Sequence, residues 1–63
     1  MFTLFECSYT GRPVLINLNH IVQAEPCASD PTRLVVLTLT GNVSMTVRGN
    51  FDILAARMVR EVR

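Results

Sequence analysis

Apolar and polar positions along this chain alternate in short bursts, and only the C-terminal dozen residues follow a helical period. Phe2-Thr3-Leu4-Phe5-Glu6-Cys7 alternates weakly and is rich in Phe, Thr and Leu, which fit a pleated, half-buried surface. It predicts a first strand over about 2–8. Ser8-Tyr9-Thr10-Gly11-Arg12-Pro13 reads as a turn, and Val14-Leu15-Ile16 as a short second strand, about 14–17. Asn17-Leu18-Asn19-His20 closes that strand, because both Asn residues tolerate left-handed geometry or bond their own backbone. Ile21-Val22-Gln23-Ala24-Glu25 resumes as a third strand, about 21–25. The two prolines and small polar residues of Pro26-Cys27-Ala28-Ser29-Asp30-Pro31-Thr32 cannot continue a ladder, so this is the longest loop and the segment expected to be most mobile.

The strongest strand signal is Leu34-Val35-Val36-Leu37-Thr38-Leu39-Thr40, which forms a hairpin with Val43-Ser44-Met45-Thr46-Val47, giving strands over about 34–40 and 43–48. Two registers are open. A two-residue Gly41-Asn42 turn sets Val43, Met45 and Val47 on one face with Thr40, Thr38 and Val36, leaving both faces apolar. A three-residue Thr40-Gly41-Asn42 loop pairs Leu39 with Val43 and Leu37 with Met45 and gives one clean apolar face, since a shift of one residue reverses side-chain direction. In either case a strand so nearly continuous in Val and Leu is expected to be covered on both sides, by a curled sheet, the helix or another subunit.

Gly49-Asn50 ends the hairpin and opens a helix over about 51–62, with Asn50 as N-cap and Asp52 placed to complement the helix dipole. Phe51, Leu54, Ala55, Met58 and Val62 follow helical spacing and predict the inward stripe. Asp52, Arg57, Arg60 and Glu61 take the outer side, where Arg57 and Glu61 are spaced to pair. Ile53 and Val59 widen the apolar stripe beyond what a small sheet requires.

Length sharpens this picture. A chain of 63 residues makes one domain and buries only about 60% of its unfolded surface, so it needs a disulfide, a metal or self-association to gain margin. Cys7 and Cys27 form no metal-binding motif and a single His completes a poor ligand set, so no structural metal is expected. Both cysteines are expected as buried free thiols, with a disulfide as the minority alternative. Self-association gains weight by elimination. The chain is 49% hydrophobic and 17% charged, with no long apolar segment and no signal-peptide pattern, which points to a cytoplasmic protein without a membrane partner.

All six basic residues are Arg against five acids, and a net charge of +1 does not demand a nucleic-acid partner. Catalysis has little to draw on. One His beside two Cys is a chance combination, Glu6 and Glu25 lie on predicted strands outside any cleft, and Gly11, Gly41 and Gly49 stand singly rather than in a phosphate-cradling loop. The chain is therefore read as a non-enzyme, with no cofactor and no small-molecule substrate. Arg57, Arg60 and Arg63 form a basic edge, as expected of cations at a helix C-terminus. Tyr9 beside Arg12 has the composition of a base-stacking turn.

Five short strands with sharp turns resemble a small Sm-like barrel. Ile16-Asn17-Leu18-Asn19-His20-Ile21-Val22 is similar to that family's late strand-turn-strand motif, and Gly49-Asn50-Phe51-Asp52 to its earlier Gly-x-Phe/Tyr-Asp step. Their order is reversed here, which implies a variant with the helix moved to the C-terminus. Gly11-Arg12-Pro13-Val14-Leu15-Ile16-Asn17 and Leu37-Thr38-Leu39-Thr40-Gly41-Asn42 also resemble the outline of small bacterial flagellar and swarming-motility proteins of the FlbD type.

The expected fold is thus mainly β with one helix: a five-stranded antiparallel meander curled into a partly open Sm-like barrel, the C-terminal helix packed on it. The runner-up is an open sheet with the helix on one face. The expected function is a non-enzymatic interaction module that self-associates, most simply as a dimer, through Leu34, Val36, Leu37, Leu39, Ile53 and Val59. The Sm-like resemblance implies the alternative of an RNA-binding module using Tyr9, Arg12, His20 and Arg33 at one rim.

Overall fold

The computed structural model describes residues 1–62, the side chains of 60–62 excepted. Five strands, β1 (Phe2–Glu6), β2 (Pro13–Asn17), β3 (Ile21–Pro26), β4 (Leu34–Leu39) and β5 (Val43–Arg48), precede one helix, α1 (Phe51–Val62). Every expected element is present. The pairing differs from the expected meander, because the strands form two antiparallel sheets, β1-β2 and β3-β4-β5, rather than one closed or continuous sheet.

The break falls between β2 and β3. Leu18 N–H donates to the Met1 carbonyl (2.8 Å), and a 3-10 turn over Leu18–His20 then redirects the chain. Asn17 caps that turn by accepting from Asn19 N–H at 3.0 Å, the local side-chain bond for which Asn is suited. β1 instead meets β5, at a single bridge between Cys7 and Val47, with Ser8 N–H donating to the Thr46 carbonyl at 3.0 Å.

The β4–β5 hairpin adopts the three-residue loop. Leu39 stands opposite Val43, Leu37 opposite Met45 and Val35 opposite Val47. Two features fix this register, one long-range and one local. Thr40 N–H donates to the His20 carbonyl (2.8 Å), which draws Thr40 out of the β4–β5 ladder toward β3. Gly41 and Asn42 then take left-handed conformations (φ 88° and 62°), and Asn42 N–H donates back to Leu39 (3.1 Å). Gly is indifferent to that geometry and Asn tolerates it.

Register decides the core. Val35, Leu37 and Val47 point inward with no more than 1% exposure, and Phe5, Ile16 and Leu54 close around them. Phe51, Ala55 and Met58 are half-buried on the inward side of α1, whereas Asp52, Ile53, Arg57 and Val59 are exposed. Asn50 caps the helix as expected: its Oδ1 accepts from Ile53 N–H (3.2 Å), and its Nδ2 donates to the Thr32 carbonyl (3.3 Å), tying the helix start to the long loop. Val62's place in the stripe, the Arg57–Glu61 pairing and the side chains of Arg60 and Arg63 lie outside the described residues.

Within one chain β4 is covered on one face: neither the curl of the sheet nor α1 covers the opposite face of the three-stranded sheet. Register places Leu34, Val36 and Thr38 there beside Ser44, Thr46 and Arg48 of β5 and Gln23 and Glu25 of β3. That face is mostly polar, and its two apolar side chains are half-buried among their own neighbours.

Substitutions at single positions report this register through urea denaturation. Leu37→Ala is expected to cost roughly 2–5 kcal/mol, whereas Ser44→Ala on the other face stays within about 0.5 kcal/mol. Asn50→Ala is expected to cost about 1 kcal/mol through the lost cap. A Ser44 effect equal to that of Leu37 would contradict the register.

Candidate protein-interaction surface

The β1–β2 ribbon pairs Phe2 with Asn17, Thr3 with Ile16, Leu4 with Leu15, Phe5 with Val14 and Glu6 with Pro13. Leu18 N–H to Met1 at one end and Cys7 N–H to Arg12 (2.9 Å) at the other are backbone bonds in the same register. Hydrogen-bonded pairs therefore alternate through Thr3–Ile16 and Phe5–Val14, while Leu4–Leu15 and Glu6–Pro13 fall between them. In those intervening pairs N–H and C=O point away from the facing strand. The missing N–H of Pro13 thus lies on the free edge of β2, where it costs no ladder bond.

Side-chain direction follows the same alternation. Thr3, Phe5, Val14 and Ile16 face the core. Phe2, Leu4 and Leu15 face outward and remain 64%, 65% and 63% exposed. The ribbon is apolar on both faces and the chain covers only one. Leu4 and Leu15 form a pair without mutual backbone bonds, the closer of the two antiparallel spacings, so their side chains make one continuous patch. Leu4 also lines a cleft between β1 and α1 with Arg48, Asn50, Ile53, Leu54 and Arg57, so the exposed Ile53 lies across a partly charged cleft from the patch. Glu6, at the border of this face, is paired with Arg48.

The interface residues expected from sequence divide in three. Leu37 is wholly buried and has no surface left for a partner, a correction that follows from the hairpin register. Leu34, Val36 and Leu39 are half-buried, and Ile53 and Val59 are exposed at 66% and 60%. Phe2, Leu4 and Leu15 were not in that set. Their signal was present in the unbroken apolar pairs Leu4-Phe5 and Leu15-Ile16, which cannot both point inward on a strand.

Tyr9 and Arg12 share the β1–β2 turn, where Gly11 N–H donates to Cys7 (2.8 Å) and Arg12 N–H to Thr10 Oγ1 (3.1 Å). Tyr9 is 89% exposed. Arg33 directly precedes β4, and Gly49 N–H donates to its carbonyl at 2.7 Å. His20 directly precedes β3, whose first residue Ile21 pairs with Leu39 at the far end of β4. Arg33 and His20 therefore stand at opposite ends of the β3–β4 ladder, and the four residues do not form one rim.

Cys7 and Cys27 are free and half-buried, not buried as expected. Cys7 faces Val47, Val47 faces Val35, and Val35 faces Pro26, the neighbour of Cys27. Three strand spacings separate the two cysteines along the sheet, and no disulfide joins them. The Cys7 thiol is lowered from its ordinary value by hydrogen bonds from the Thr10 and Tyr9 backbone, and Cys27 by the Ser29 hydroxyl, whose oxygen lies 3.3 Å from the sulfur. Glu6 and Glu25 lie on β1 and β3, with β5 and β4 between them in the strand order, and do not face each other. No helix among the described residues is long and apolar enough to cross a membrane.

These exposures give a direct expectation for thiol chemistry. A disulfide-exchange reagent titrates both cysteines in the folded protein near neutral pH, faster than a simple alkyl thiol, because the lowered values enlarge the thiolate fraction. Reaction only after denaturation would contradict the placement of both side chains.

No family model, characterised protein or solved structure matches this chain.

Proposed function

We propose that this chain is a non-enzymatic protein-interaction module that works as a homo-oligomer, most simply a dimer, in the cytoplasm. The observation that carries the proposal is the outward face of the β1–β2 ribbon, where Phe2, Leu4 and Leu15 are all nearly two-thirds exposed in a chain with few buried residues to spare. An apolar patch of that kind marks an interaction site on a soluble domain. Two reduced, accessible thiols accord with the cytoplasm.

A barrel of the Sm-like type with its helix moved to the C-terminus belongs to the same proposal. Supporting it, the Cys7–Val47 bridge links the two sheets in the order β2-β1-β5-β4-β3 around one core. The similarity to FlbD-type proteins fits the same outline of strands followed by a helix.

Sedimentation equilibrium across the micromolar range tests self-association: the expected mass is about 14 kDa, twice the 7.0 kDa of one chain. A mass of one chain at every concentration would end the proposal. The RNA alternative keeps Arg33 near the Tyr9–Arg12 turn, where Arg33 shares a cleft with Ser8, but loses His20 to the far end of the sheet, so fluorescence anisotropy with mixed-sequence single-stranded RNA is expected to show no binding at tens of micromolar and physiological salt. Salt-dependent binding abolished by Tyr9→Ala would replace the protein-interaction reading with an RNA-binding one.

A further inference from the structure

We infer that the outer face of the β1–β2 ribbon is the surface through which two copies of this chain dock, with Leu4 and Leu15 at its centre, Phe2 at one end and Ile53 at its rim. This rests on the self-association reading and adds the surface that carries it.

Four observations select the surface and its occupant. The first is placement. The other large face, on β3-β4-β5, carries Gln23, Glu25, Thr38, Ser44 and Thr46 around half-buried Leu34 and Val36, with Val22 exposed at the β3 bulge, whereas Phe2, Leu4 and Leu15 stand together on the ribbon face and Ile53 lies across a cleft that Asn50 and Arg57 also line. The second is area. Phe2, Leu4, Leu15 and Ile53, each 63–66% exposed, present on the order of 400–500 Å². Two such faces bury about 800–1,000 Å² together when wholly covered, at the lower bound for a specific interface.

The third is the weakness of the ribbon by itself. A two-stranded ribbon is marginal without a cover, and this one is joined to β5 at one end, by the Cys7–Val47 bridge, the Ser8–Thr46 hydrogen bond and the Glu6–Arg48 pair. Phe5 and Ile16, on its inner face, keep 9% and 6% exposure while Val35, Leu37 and Val47 keep 1% or less. Covering the outer face sandwiches the ribbon between its own core and the second copy. The fourth is charge. Glu6 at the border is matched by Arg48 of the same chain, which leaves Phe2, Leu4 and Leu15 as an uncharged centre with Arg57 beside Ile53 at the rim. That apolar surface complements itself. A two-fold axis along the strands sets Leu4 of each copy over Leu15 of the other, an isologous contact that closes at two copies. Pro13 on the free edge of β2 opposes the competing route, in which strands add edge to edge and grow without limit.

The test is a dimer dissociation constant for the full chain and for Leu4→Glu, Leu15→Glu and Val36→Glu, with circular dichroism to check folding. Leu4→Glu and Leu15→Glu are expected to weaken the dimer by about 100-fold or more, and Val36→Glu by less than about threefold. A second readout stands apart from those substitutions. The chain has no Trp, so Phe2→Trp is a unique reporter whose emission is expected to shift to the blue and resist iodide quenching as concentration rises. A wild-type chain that stays monomeric at 100 µM overturns both the self-association reading and this surface. A wild-type dimer that is indifferent to both glutamates, or one in which Trp at position 2 keeps its solvent-exposed emission, overturns the surface alone. Should the glutamate variants unfold, the tryptophan emission decides.

Discussion

The hydrogen bond from Thr40 N–H to the His20 carbonyl is the constraint on which the other packing depends. It removes Thr40 from the β4–β5 ladder and leaves a three-residue loop. One residue fewer in that loop would turn β5 over relative to β4. With the loop as it is, Val35, Leu37 and Val47 share a face and leave solvent altogether, and Leu54 of α1 closes on them. The same bond ties the hairpin tip to the start of β3, so the loop that sets the register also holds the three-stranded sheet together at that end.

The remaining strands meet a shortage of cover. β1 and β2 each carry adjacent large apolar residues, Leu4-Phe5 and Leu15-Ile16, and strand geometry sends one of each pair to either face. The core accepts Phe5 and Ile16, and no element among the described residues lies over Leu4 and Leu15, because α1 is occupied on the inner side through Phe51, Leu54 and Met58. The functional proposal follows from that shortage. A domain this small has little stability to spare, and the surface it leaves uncovered adjoins its least anchored element.

Much of the fold was legible in the sequence because it rests on local chemistry. Asn50 before an amphipathic run gave the helix start, and the loop lies where residues 27–32 put it, although Pro26, expected in the loop, closes β3 opposite Val35. Gly41-Asn42 marked the hairpin while leaving its register open, since the deciding bond comes from His20, twenty residues earlier in the chain. The pairing of β1 with β5 and the break after β2 were likewise illegible, being long-range choices that no local pattern encodes. The exposed apolar face of the ribbon went unread for a related reason. The longest apolar run, Leu34 to Leu39, drew attention to β4, but a central strand finds its cover inside the fold, whereas the shorter runs of β1 and β2 do not. His20 and Arg33 looked like rim neighbours until register set them at opposite ends of one ladder.

The most direct test of the central claim is an isotope-filtered NOE experiment on an equimolar mixture of labelled and unlabelled chains at millimolar concentration. The account predicts intermolecular contacts among the Leu4 and Leu15 methyl groups and the Phe2 ring. Intermolecular contacts confined to Val36 and its neighbours on the outer face of β3-β4-β5, or none at all, would contradict it.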